Sequence, residues 1–267
     1  MSEVPIATKL LTGPQASSAA CASEAHSDSG GMSALQSLAT TIVIAVFVIT
    51  FVVQAFQIPS ESMEKTLLIG DYLLVDKAHY ADPSIWGWLL PYRRIQRQDI
   101  VVFRYPVNPT QHFVKRVIGV PGDHIRLINK HVYVNGAKQD DEYATFNWGQ
   151  RDKFRDNFPN GGFFAEKIAS KWFLQSQKLV EDGQLIVPED SYFVLGDNRD
   201  DSYDSRYWGL VPADHIVGRP LLIYWSMDRA TSGAGENLSS GKLSTLAYSM
   251  IESVKGLRWK RMFRIPR

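Results

Sequence analysis

The sequence predicts a mainly β protein: an antiparallel β-barrel-like domain with a second small lobe, preceded by one transmembrane helix. Three observations predict this fold class. An uncharged apolar run near the N-terminus is followed by short segments in which apolar and polar residues alternate. Gly-Asp pairs mark turns beside several of these segments. A chain of 267 residues, 45% of them hydrophobic, has enough apolar side chains for one full core and a small second lobe.

Charge and cysteine content exclude several classes of protein. The chain carries 29 Lys plus Arg against 28 Asp plus Glu, so its net charge of +1 provides no broad positive field for nucleic acid. The one cysteine, Cys21, excludes an intramolecular disulfide framework and any metal site built from several cysteines. We therefore expect a fold stabilised by its core alone, with no nucleic-acid partner.

The first 57 residues divide into a tail and an anchor. Residues 1–36 are rich in Ser, Ala and Gly and show no apolar period, which is typical of a flexible tail. Residues 37–57 contain the uncharged run LATTIVIAVFVITFVV, from Leu38 to Val53, which with its flanks can span a bilayer core of about 30 Å. Branched residues on every face favour lipid over the alternative of a buried core helix. A cleaved signal peptide is disfavoured, because no basic segment precedes the run and no small-x-small site follows it directly.

Beyond the anchor, period-two alternation predicts short antiparallel strands. The segments are YLLVDK at 72–77, DIVVFRY at 99–105, HFVKRVIGV at 112–120, HIRLINKHVYVNG at 124–136, LIVPEDSYFVLGD at 185–197 and IVGRPLLIYW at 216–225. Asn129-Lys130 is the predicted tip of a hairpin. The strands thus form a β domain in two parts, 58–139 and 185–228. The polar and aromatic residues 140–184 between these parts predict an inserted lobe.

Two further segments have compositions that suit a membrane surface. SIWGWLLPY at 84–92 concentrates Trp and Leu in a loop, which favours equally a membrane interface or a satellite core beneath the loop. Residues 229–267 form a C-terminal basic amphipathic tail. Its end, LRWKRMFRIPR at 257–267, suits either an anionic lipid surface or plain solvent.

Three segments concentrate candidate catalytic residues: IPSESMEKTLLIGDYLLVDK at 58–77, HFVKRVIGVPGD at 112–123 and GDNRDDSYDSRYWGLVP at 196–212. Ser62 follows Val53 by only nine positions in the sequence. Because an extended chain advances about 3.3–3.6 Å per residue, Ser62 lies within about 30 Å of the exit of the apolar run. Any chemistry at Ser62 is therefore expected near the bilayer surface.

A serine hydroxyl needs a base before it can attack, and that base is usually a histidine. The histidines of this chain are scattered, and no G-x-S-x-G elbow is present. A lysine can replace histidine where burial lowers its pKa from about 10.4 toward 7–8. Lys115 lies among apolar residues in FVKRVIGV, whereas Lys65 and Lys77 have less apolar neighbours. For each of these lysines, a solvated surface charge is the alternative.

Together the three segments resemble bacterial type I signal peptidases, membrane-bound serine proteases that remove signal peptides from exported proteins. The resemblance implies that Ser62 in PSESM is the nucleophile and Lys115 in FVKR the general base. It implies that Ser60 donates its hydroxyl to the oxyanion hole and that Ser202 orients the Lys115 amine. It also implies a supporting network of charged side chains, formed by Asp197, Asp204, Arg206 and Arg116.

The sequence departs from the family at Lys65, where many members have proline. Because Lys65 follows the implied nucleophile by only three residues, its charge would disturb a site that needs to be dry. We expect this side chain to point away from the site.

The resemblance also implies a substrate, an extended signal peptide with small residues, typically Ala, at the first and third positions before the cut. Pocket walls are expected from Phe56, Ile58, Met63, Leu67, Phe113 and Val114, for each of which ordinary core packing is the alternative. No cofactor is needed, because two serines and a lysine supply nucleophile, base and oxyanion donor. No metal is expected, because interleaved arginines at 199 and 206 predict an internally paired turn for Asp197, Asp200, Asp201 and Asp204.

The resemblance further implies a single-pass protein of the bacterial plasma membrane, with its β domain on the extracytoplasmic side. Charge gives no independent indication of orientation, since the N-terminal tail carries one lysine against three acidic residues. The expected partners are signal peptides of exported preproteins and the lipid bilayer, with the translocation machinery as a further candidate. Two other functions stay open: a dedicated Ser/Lys protease acting on itself or one partner, and a membrane-tethered β module that binds peptides without turnover.

Overall fold

The computed structural model of this protein describes residues 29–78, 93–146, 149, 151–160, 168–228 and 256–266. Several sequence predictions lie outside these residues: most of the N-terminal tail, the Trp-rich loop at 84–92, and the stretch 229–255 of the C-terminal tail. The chain divides into two units between Ile44 and Ala45.

The N-terminal apolar run forms helix α1, Ser29–Phe47, which ends in a π-helical turn at Val48–Val52. The stretch Gly31–Thr50 has a mean hydropathy of 2.1 and buries none of its residues, so by length and composition it can cross a membrane. Thr40 and Thr41 donate their hydroxyl hydrogens to backbone carbonyls one turn earlier, which satisfies these groups within the helix. The described residues contain one such helix.

The predicted limits of the tail and the anchor were wrong at both ends of the helix. The helix begins at Ser29, inside the tail predicted over 1–36, and residues 53–57 of the predicted anchor form a β-strand. The sequence contains no Gly or Pro to mark the change from helix to strand near residue 53. Val and Ile suit both a lipid-exposed helix and a strand, so the apolar pattern gives no boundary either. Backbone pairing of residues 53–57 with the next strand fixes the extended state there.

The rest of the chain is mainly β, as predicted. Twelve strands are described: β1 Val53–Gln57, β2 Asp71–Asp76, β3 Ile100–Arg104, β4 His112–Gly119, β5 His124–Ile128, β6 His131–Val134, β7 Ala137–Lys138, β8 Val180–Glu181, β9 Gln184–Ile186, β10 Ser191–Leu195, β11 Val211–Pro212 and β12 Ile216–Ser226. Three helices join them: α2 Lys153–Asp156, α3 Ser170–Leu179 and α4 Ser205–Trp208.

Seven strands form a curled sheet in the order β1-β2-β12-β3-β4-β10-β11, and every neighbouring pair is antiparallel. The long strand β12 turns the sheet, since its first residues pair with β3 and the remainder with β2. Gly218 lies at this change, where a Cβ would stand 1.8 Å from the carbonyl oxygen of Asp76. The glycine therefore permits the close approach of two backbones that bends the sheet.

Five strands form a second sheet in the order β7-β6-β5-β9-β8. Its central hairpin, β5 to β6, turns at Asn129-Lys130, where φ is 48° and 74°, so the predicted tip is confirmed. The predicted strand run 185–197 divides between the two sheets, with β9 in this one and β10 in the larger one. Helices α2 and α3 both lie in the predicted insertion 140–184.

Two apolar cores stabilise the sheets. The larger core includes Phe103, Phe158, Phe193 and Trp208 and extends from the curled sheet into the insertion. The smaller core lies under the segment that carries Ser62, and its buried members are Ile58, Met63, Leu67, Leu73, Val75, Ile100, Val102 and Ile223. Strand β2 contributes through strict alternation of buried and partly exposed residues, as its sequence predicts.

The end of the chain, residues 256–266, packs along β12 instead of forming a free tail. Ile223 of β12 makes two backbone hydrogen bonds with this segment. Its N–H donates to the Arg264 carbonyl at 2.9 Å, and its carbonyl accepts the Phe263 N–H at 2.6 Å. The fully buried carboxylate of Asp71 accepts hydrogen bonds from Arg261 Nη2 and Ser226 Oγ, each at 2.6 Å. The prediction of a tail over 229–267 was therefore wrong for this part, because arginines in it satisfy a buried charge.

Candidate active site

Ser62 lies at the centre of a single 3-10 turn, Glu61–Met63, that follows β1. Met63 anchors the turn to the protein, because its side chain is 1% exposed in the smaller core and its carbonyl accepts the Leu67 N–H at 2.8 Å. Ser60 precedes the turn in an extended conformation. The Ser62 side chain is 9% exposed and lines an open cleft, which makes it accessible on one side only.

Lys115 lies near the middle of β4, paired with Val101 of β3. Its side chain is 4% exposed, yet within the described parts of the chain it makes no ion pair and no hydrogen bond. Burial lowers its pKa from 10.5 to about 8, an effect that the carboxylates Asp204, Asp197 and Asp201 only partly offset. A substantial fraction of this amine is therefore neutral near pH 8, as a general base requires.

Ser60 and Ser62 place two hydroxyl groups side by side, with 3.3 Å between their Oγ atoms. Ser60 is exposed toward the cleft. The Ser62 N–H belongs to the first turn of a helical segment, where backbone donors have no acceptor within the helix. The Ser60 hydroxyl and the Ser62 N–H thus lie next to the Ser62 hydroxyl oxygen, and a hydroxyl and a backbone N–H are groups that can form an oxyanion hole.

The loop from Gly196 to Asp204 packs directly against the Ser62 turn. Asn198 donates its N–H to the Ser62 carbonyl at 3.1 Å. A Cβ on Gly196 would lie 2.4 Å from the same carbonyl and 2.2 Å from Ser202 Oγ, so only glycine fits. Ser202 itself is 7% exposed. Its hydroxyl helps to lower the pKa of Asp204. Among the described residues, this hydroxyl has no partner that meets the geometry of a regular hydrogen bond.

Two buried ion pairs border the site. Arg116 donates to Asp197 in a bidentate arrangement, with Nε to Oδ1 at 2.7 Å and Nη2 to Oδ2 at 2.6 Å. Arg206 pairs in the same way with Asp204, with both distances 2.8 Å. Burial by itself would raise the pKa of Asp204, but the Arg206 guanidinium lowers it below its ordinary value. The four predicted network residues thus form two pairs, each fixing one end of the 196–204 loop.

The prediction that the charged residues of this loop pair within their own turn holds for Asp204 and Arg206 but was wrong for Asp197, Asp200 and Arg199, since Asp197 pairs with Arg116 of β4. Asp200 binds Lys130 and Arg155, at 2.8 Å and 3.0 Å, and Arg199 binds Asp141 at 2.9 Å. These partners come from the β5–β6 hairpin and the insertion, because the loop is covered by the second sheet. Within the described ranges, no three His, Cys, Asp or Glu side chains lie close enough to share a metal ion.

The cleft beside Ser62 has a volume of about 510 Å³. Eight of the residues singled out from the sequence line it: Phe56, Ile58, Ser60, Ser62, Met63, Phe113, Val114 and Lys115. Leu67 does not, because it is fully buried in the smaller core, and its predicted place on a pocket wall was wrong. Lys65 is exposed and is not among the residues that line the cleft.

Sequence reasoning missed several residues at the site. His112 and Tyr203 also line the cleft, as does Asp201, which was considered from the sequence only as a carboxylate of a paired turn. Thr66 donates its hydroxyl hydrogen to Asp197 Oδ2 at 2.6 Å. His112 and Tyr203 lie in the quoted motif segments, so proximity in sequence to Lys115 and Ser202 is the signal that could have found them. Thr66 and Asp197 are 131 residues apart, and nothing in their local sequences links them.

Comparison with known proteins gives a consistent result. A family model described as "Signal peptidase, peptidase S26" matches residues 32–225. Signal peptidase I of Buchnera aphidicola is 33% identical over 241 residues, covering 73% of this chain and 76% of that protein. Probable signal peptidase I-2 of Synechocystis is 34% identical, covering 73% of each chain. Signal peptidase I of Pseudomonas aeruginosa is 36% identical, covering 66% of each.

Proposed function

This chain belongs to the signal peptidase family, peptidase S26, and on that premise we propose that it cuts signal peptides with Ser62 as nucleophile and Lys115 as general base. It is a serine endopeptidase of the signal peptidase I type. One observation carries the Ser/Lys assignment: Lys115 and Ser62 line the same cleft. Lys115 is 4% exposed there and makes no ion pair among the described residues.

In the proposed reaction, the neutral Lys115 amine takes the proton from Ser62 Oγ as this oxygen attacks the carbonyl carbon of the scissile peptide bond. The resulting oxyanion accepts hydrogen bonds from Ser60 Oγ and the Ser62 N–H. The tetrahedral intermediate then collapses, and the Lys115 ammonium returns its proton to the departing amine. Water, deprotonated by the same lysine, hydrolyses the acyl-enzyme and restores Ser62.

The proposed role of Ser202 is to orient the Lys115 amine. Its buried hydroxyl lies on the loop that packs against Ser62, next to the Asp204 carboxylate. A hydroxyl can accept a hydrogen bond from the ammonium form and donate to the neutral amine, so it serves both states of the base. The Arg116–Asp197 and Arg206–Asp204 pairs would hold this loop in place.

The proposed substrate is the C-terminal part of a signal peptide in extended conformation. The cleft is bordered by residues 56–63 on one side and 112–115 on the other, so it offers backbone on both sides of such a peptide. Phe56, Ile58, Met63, Phe113 and Val114 supply apolar walls. Shallow pockets of this kind favour small side chains, which supports cleavage after Ala-x-Ala-like sites.

We further propose that α1 anchors the enzyme in the plasma membrane, with the cleft on the extracytoplasmic side. The apolar stretch Gly31–Thr50 supports the anchor. The C-terminal segment supports a second contact with lipid, since Trp259, Phe263 and Ile265 are 63%, 76% and 56% exposed beside the exposed cations Lys260 and Arg264. Both features would keep the cleft near the bilayer where signal peptides are presented.

The full chain in detergent, incubated with several unrelated preproteins, tests the proposed function. Ser62→Ala and Lys115→Met are each expected to lower the cleavage rate by at least about 10³-fold, while the wild type cuts all precursors after small residues. Undiminished cleavage by Ser62→Ala would overturn the proposal. Cleavage of one precursor alone would favour a dedicated processing protease. Peptide binding with Ser62 unlabelled by a serine-acylating reagent would favour a binding module.

A further inference from the structure

The first part of the insertion runs alongside the 196–204 loop. We call residues 141–146 the strap. Thr145 donates its N–H to the Asp197 carbonyl at 2.7 Å and accepts the Arg199 N–H at 3.0 Å, which forms a parallel bridge with Asn198. The strap is therefore joined by backbone to the loop that contacts Ser62.

Tyr143 of the strap covers the face of the Arg116 guanidinium. The Arg116 Cζ atom lies 4.0 Å from the centre of the Tyr143 ring. The edge of the same guanidinium is occupied by Asp197 in the bidentate pair. Tyr143 is largely buried there, and burial raises the pKa of its hydroxyl. The ring thus shields from water an ion pair whose strength depends on exclusion of water.

A second, independent contact fixes the strap at its start. Asp141 Oδ1 accepts a hydrogen bond from Arg199 Nη2 at 2.9 Å, and both side chains are at least nine-tenths buried. The Arg199 guanidinium also lies 5.7 Å from the centre of the Tyr143 ring. The strap therefore binds the loop through its backbone and through one charged side chain on each partner.

The loop transmits this constraint to the nucleophile and surrounds the base. Asp197 accepts the Thr66 hydroxyl at 2.6 Å, and Asn198 donates to the Ser62 carbonyl at 3.1 Å. Three of the charged groups that act on Lys115, namely Asp197, Asp201 and Asp204, belong to the loop. A loop held less firmly would alter both the position of Ser62 and the exclusion of water around Lys115.

We propose that the strap is a positioning element of the active site, in which Tyr143 covers the Arg116–Asp197 pair and so holds the 196–204 loop closed over Lys115. The inference rests on the proposed roles of Ser62 and Lys115. It gives part of the insertion a task in catalysis, although no strap residue lines the cleft. Tyr143 acts through Arg116 and the loop without contact with substrate.

Opening of the 196–204 loop would change the pH dependence of cleavage. Lys115 is faced by Asp204, Arg206, Asp197 and Asp201, with burial as the largest influence on its pKa. Tyr143 is faced by Arg199, Asp141, Arg116 and Asp197. If the loop opens, water reaches Lys115, the effect of burial falls, and the pKa of Lys115 rises from about 8 toward its ordinary value. The acidic limb of the rate profile then moves to higher pH.

The experiment compares pH profiles of kcat for the full-length wild type, Tyr143→Leu and Tyr143→Phe. Tyr143→Leu is expected to move the acidic limb up by about one pH unit, which lowers kcat near pH 7 roughly tenfold and restores it at high pH. Tyr143→Phe keeps the aromatic face and should retain the wild-type limb. The matched control is Tyr133→Leu, which removes a comparable ring from Arg126, 5.5 Å away, in the second sheet.

An unshifted limb in a folded Tyr143→Leu protein would overturn the inference, as would an equal shift in the Tyr133→Leu control. If Tyr143→Leu does not fold, Asp141→Asn provides the second variant, and it is expected to shift the limb in the same direction by a smaller amount. An unshifted limb in Asp141→Asn would then contradict the inference. Loss of cleavage in Lys115→Met alongside an unshifted limb would leave the Ser/Lys proposal intact while removing the strap from catalysis.

Discussion

Lys115 and Lys130 are buried to nearly the same extent, with 4% and 5% of their surface exposed, yet their surroundings are opposite. Lys130 Nζ donates to both oxygens of Asp200, at 2.9 Å and 2.8 Å, and joins the hairpin tip to the 196–204 loop. Lys115 has no such partner among the described residues and lines the cleft. Burial therefore does not identify a reactive lysine. Lys115 differs in having no counter-ion at hydrogen-bond distance among the described residues, so that burial is the largest influence on its pKa and lowers it from 10.5 to about 8.

The largest expected difference between the two lysines is catalytic. Lys115→Met should lower kcat/KM by roughly 10³-fold or more, because it removes the base. Lys130→Met should stay within about an order of magnitude of the wild type, because Lys130 pairs with Asp200 and does not line the cleft. Rates of preprotein cleavage in detergent measure both. Equal losses in the two variants would show that the lysines share one structural role.

Lys115→Arg separates charge from basicity at the same position. A guanidinium keeps the positive charge but does not deprotonate at accessible pH, so it cannot accept the Ser62 proton. The variant should be about as inactive as Lys115→Met, at every pH at which the protein remains folded. Activity that survives in Lys115→Arg would contradict a neutral amine as base.

The second difference concerns the free energy of unfolding. Breaking a buried ion pair costs about 3–5 kcal/mol, but Arg155 still pairs with Asp200 at 3.0 Å, so Lys130→Met should cost on the order of 2 kcal/mol. Lys115→Met should leave stability unchanged or raise it, because the wild-type amine is charged without a partner near pH 7. Urea unfolding at pH 7 checks both variants. A strongly destabilised Lys115→Met protein would contradict this prediction.

A pH series sharpens that comparison. The pKa of Lys115 is about 8 in the folded protein and near 10.5 when unfolded, so between these values the unfolded chain binds more protons. Wild-type stability from this group is therefore lowest below pH 8 and rises as pH increases from 8 to 10.5. The advantage of Lys115→Met over the wild type should shrink over this range. An advantage that does not change with pH would exclude a lowered pKa as its cause.

The smallest expected effect is that of Lys130→Arg. A guanidinium can retain the pair with Asp200, so we expect a change in stability below about 1 kcal/mol and cleavage close to the wild-type rate. The same substitution at Lys115 is expected to abolish cleavage. Together the two arginine variants, measured side by side, show whether charge or proton exchange is needed at each position.

The two lysines also show how far sequence reasoning reaches. Alternation predicted β2 and β12, where buried residues largely alternate with more exposed ones. The apolar segments of β3 and β4 were also predicted as strands, although most of their residues are buried on both faces. In contrast, β1 continues an apolar run without a boundary residue, and β7, β8 and β11 are two residues long. Asn129-Lys130 was correctly predicted as a hairpin tip, where a lysine is normally solvated. Its burial depends on Asp200, 70 residues away. Helix α3 in the insertion was not predicted, since that segment is mostly polar.

The candidate site shows the same limit. Resemblance in three motifs named Ser62, Lys115, Ser60 and Ser202, whereas spacing and composition alone left Lys115 as one lysine among several. Thr66 and the strap residue Tyr143 were missed, because their contacts with Asp197 and Arg116 join distant parts of the chain. Local sequence indicates where strands form and which motif residues could take part in chemistry. It does not carry the long-range pairing by which Lys130 and Lys115 differ.

Direct titration of the Lys115 amine tests the central claim most closely. Lysine side-chain NMR on the folded Ser62→Ala protein, with Lys115→Met used to assign the signal, would follow this amine as pH is raised. We expect it to titrate near pH 8, well below the ordinary lysine value of about 10.4. Titration of Lys115 near that ordinary value would contradict the proposal that it acts as the general base.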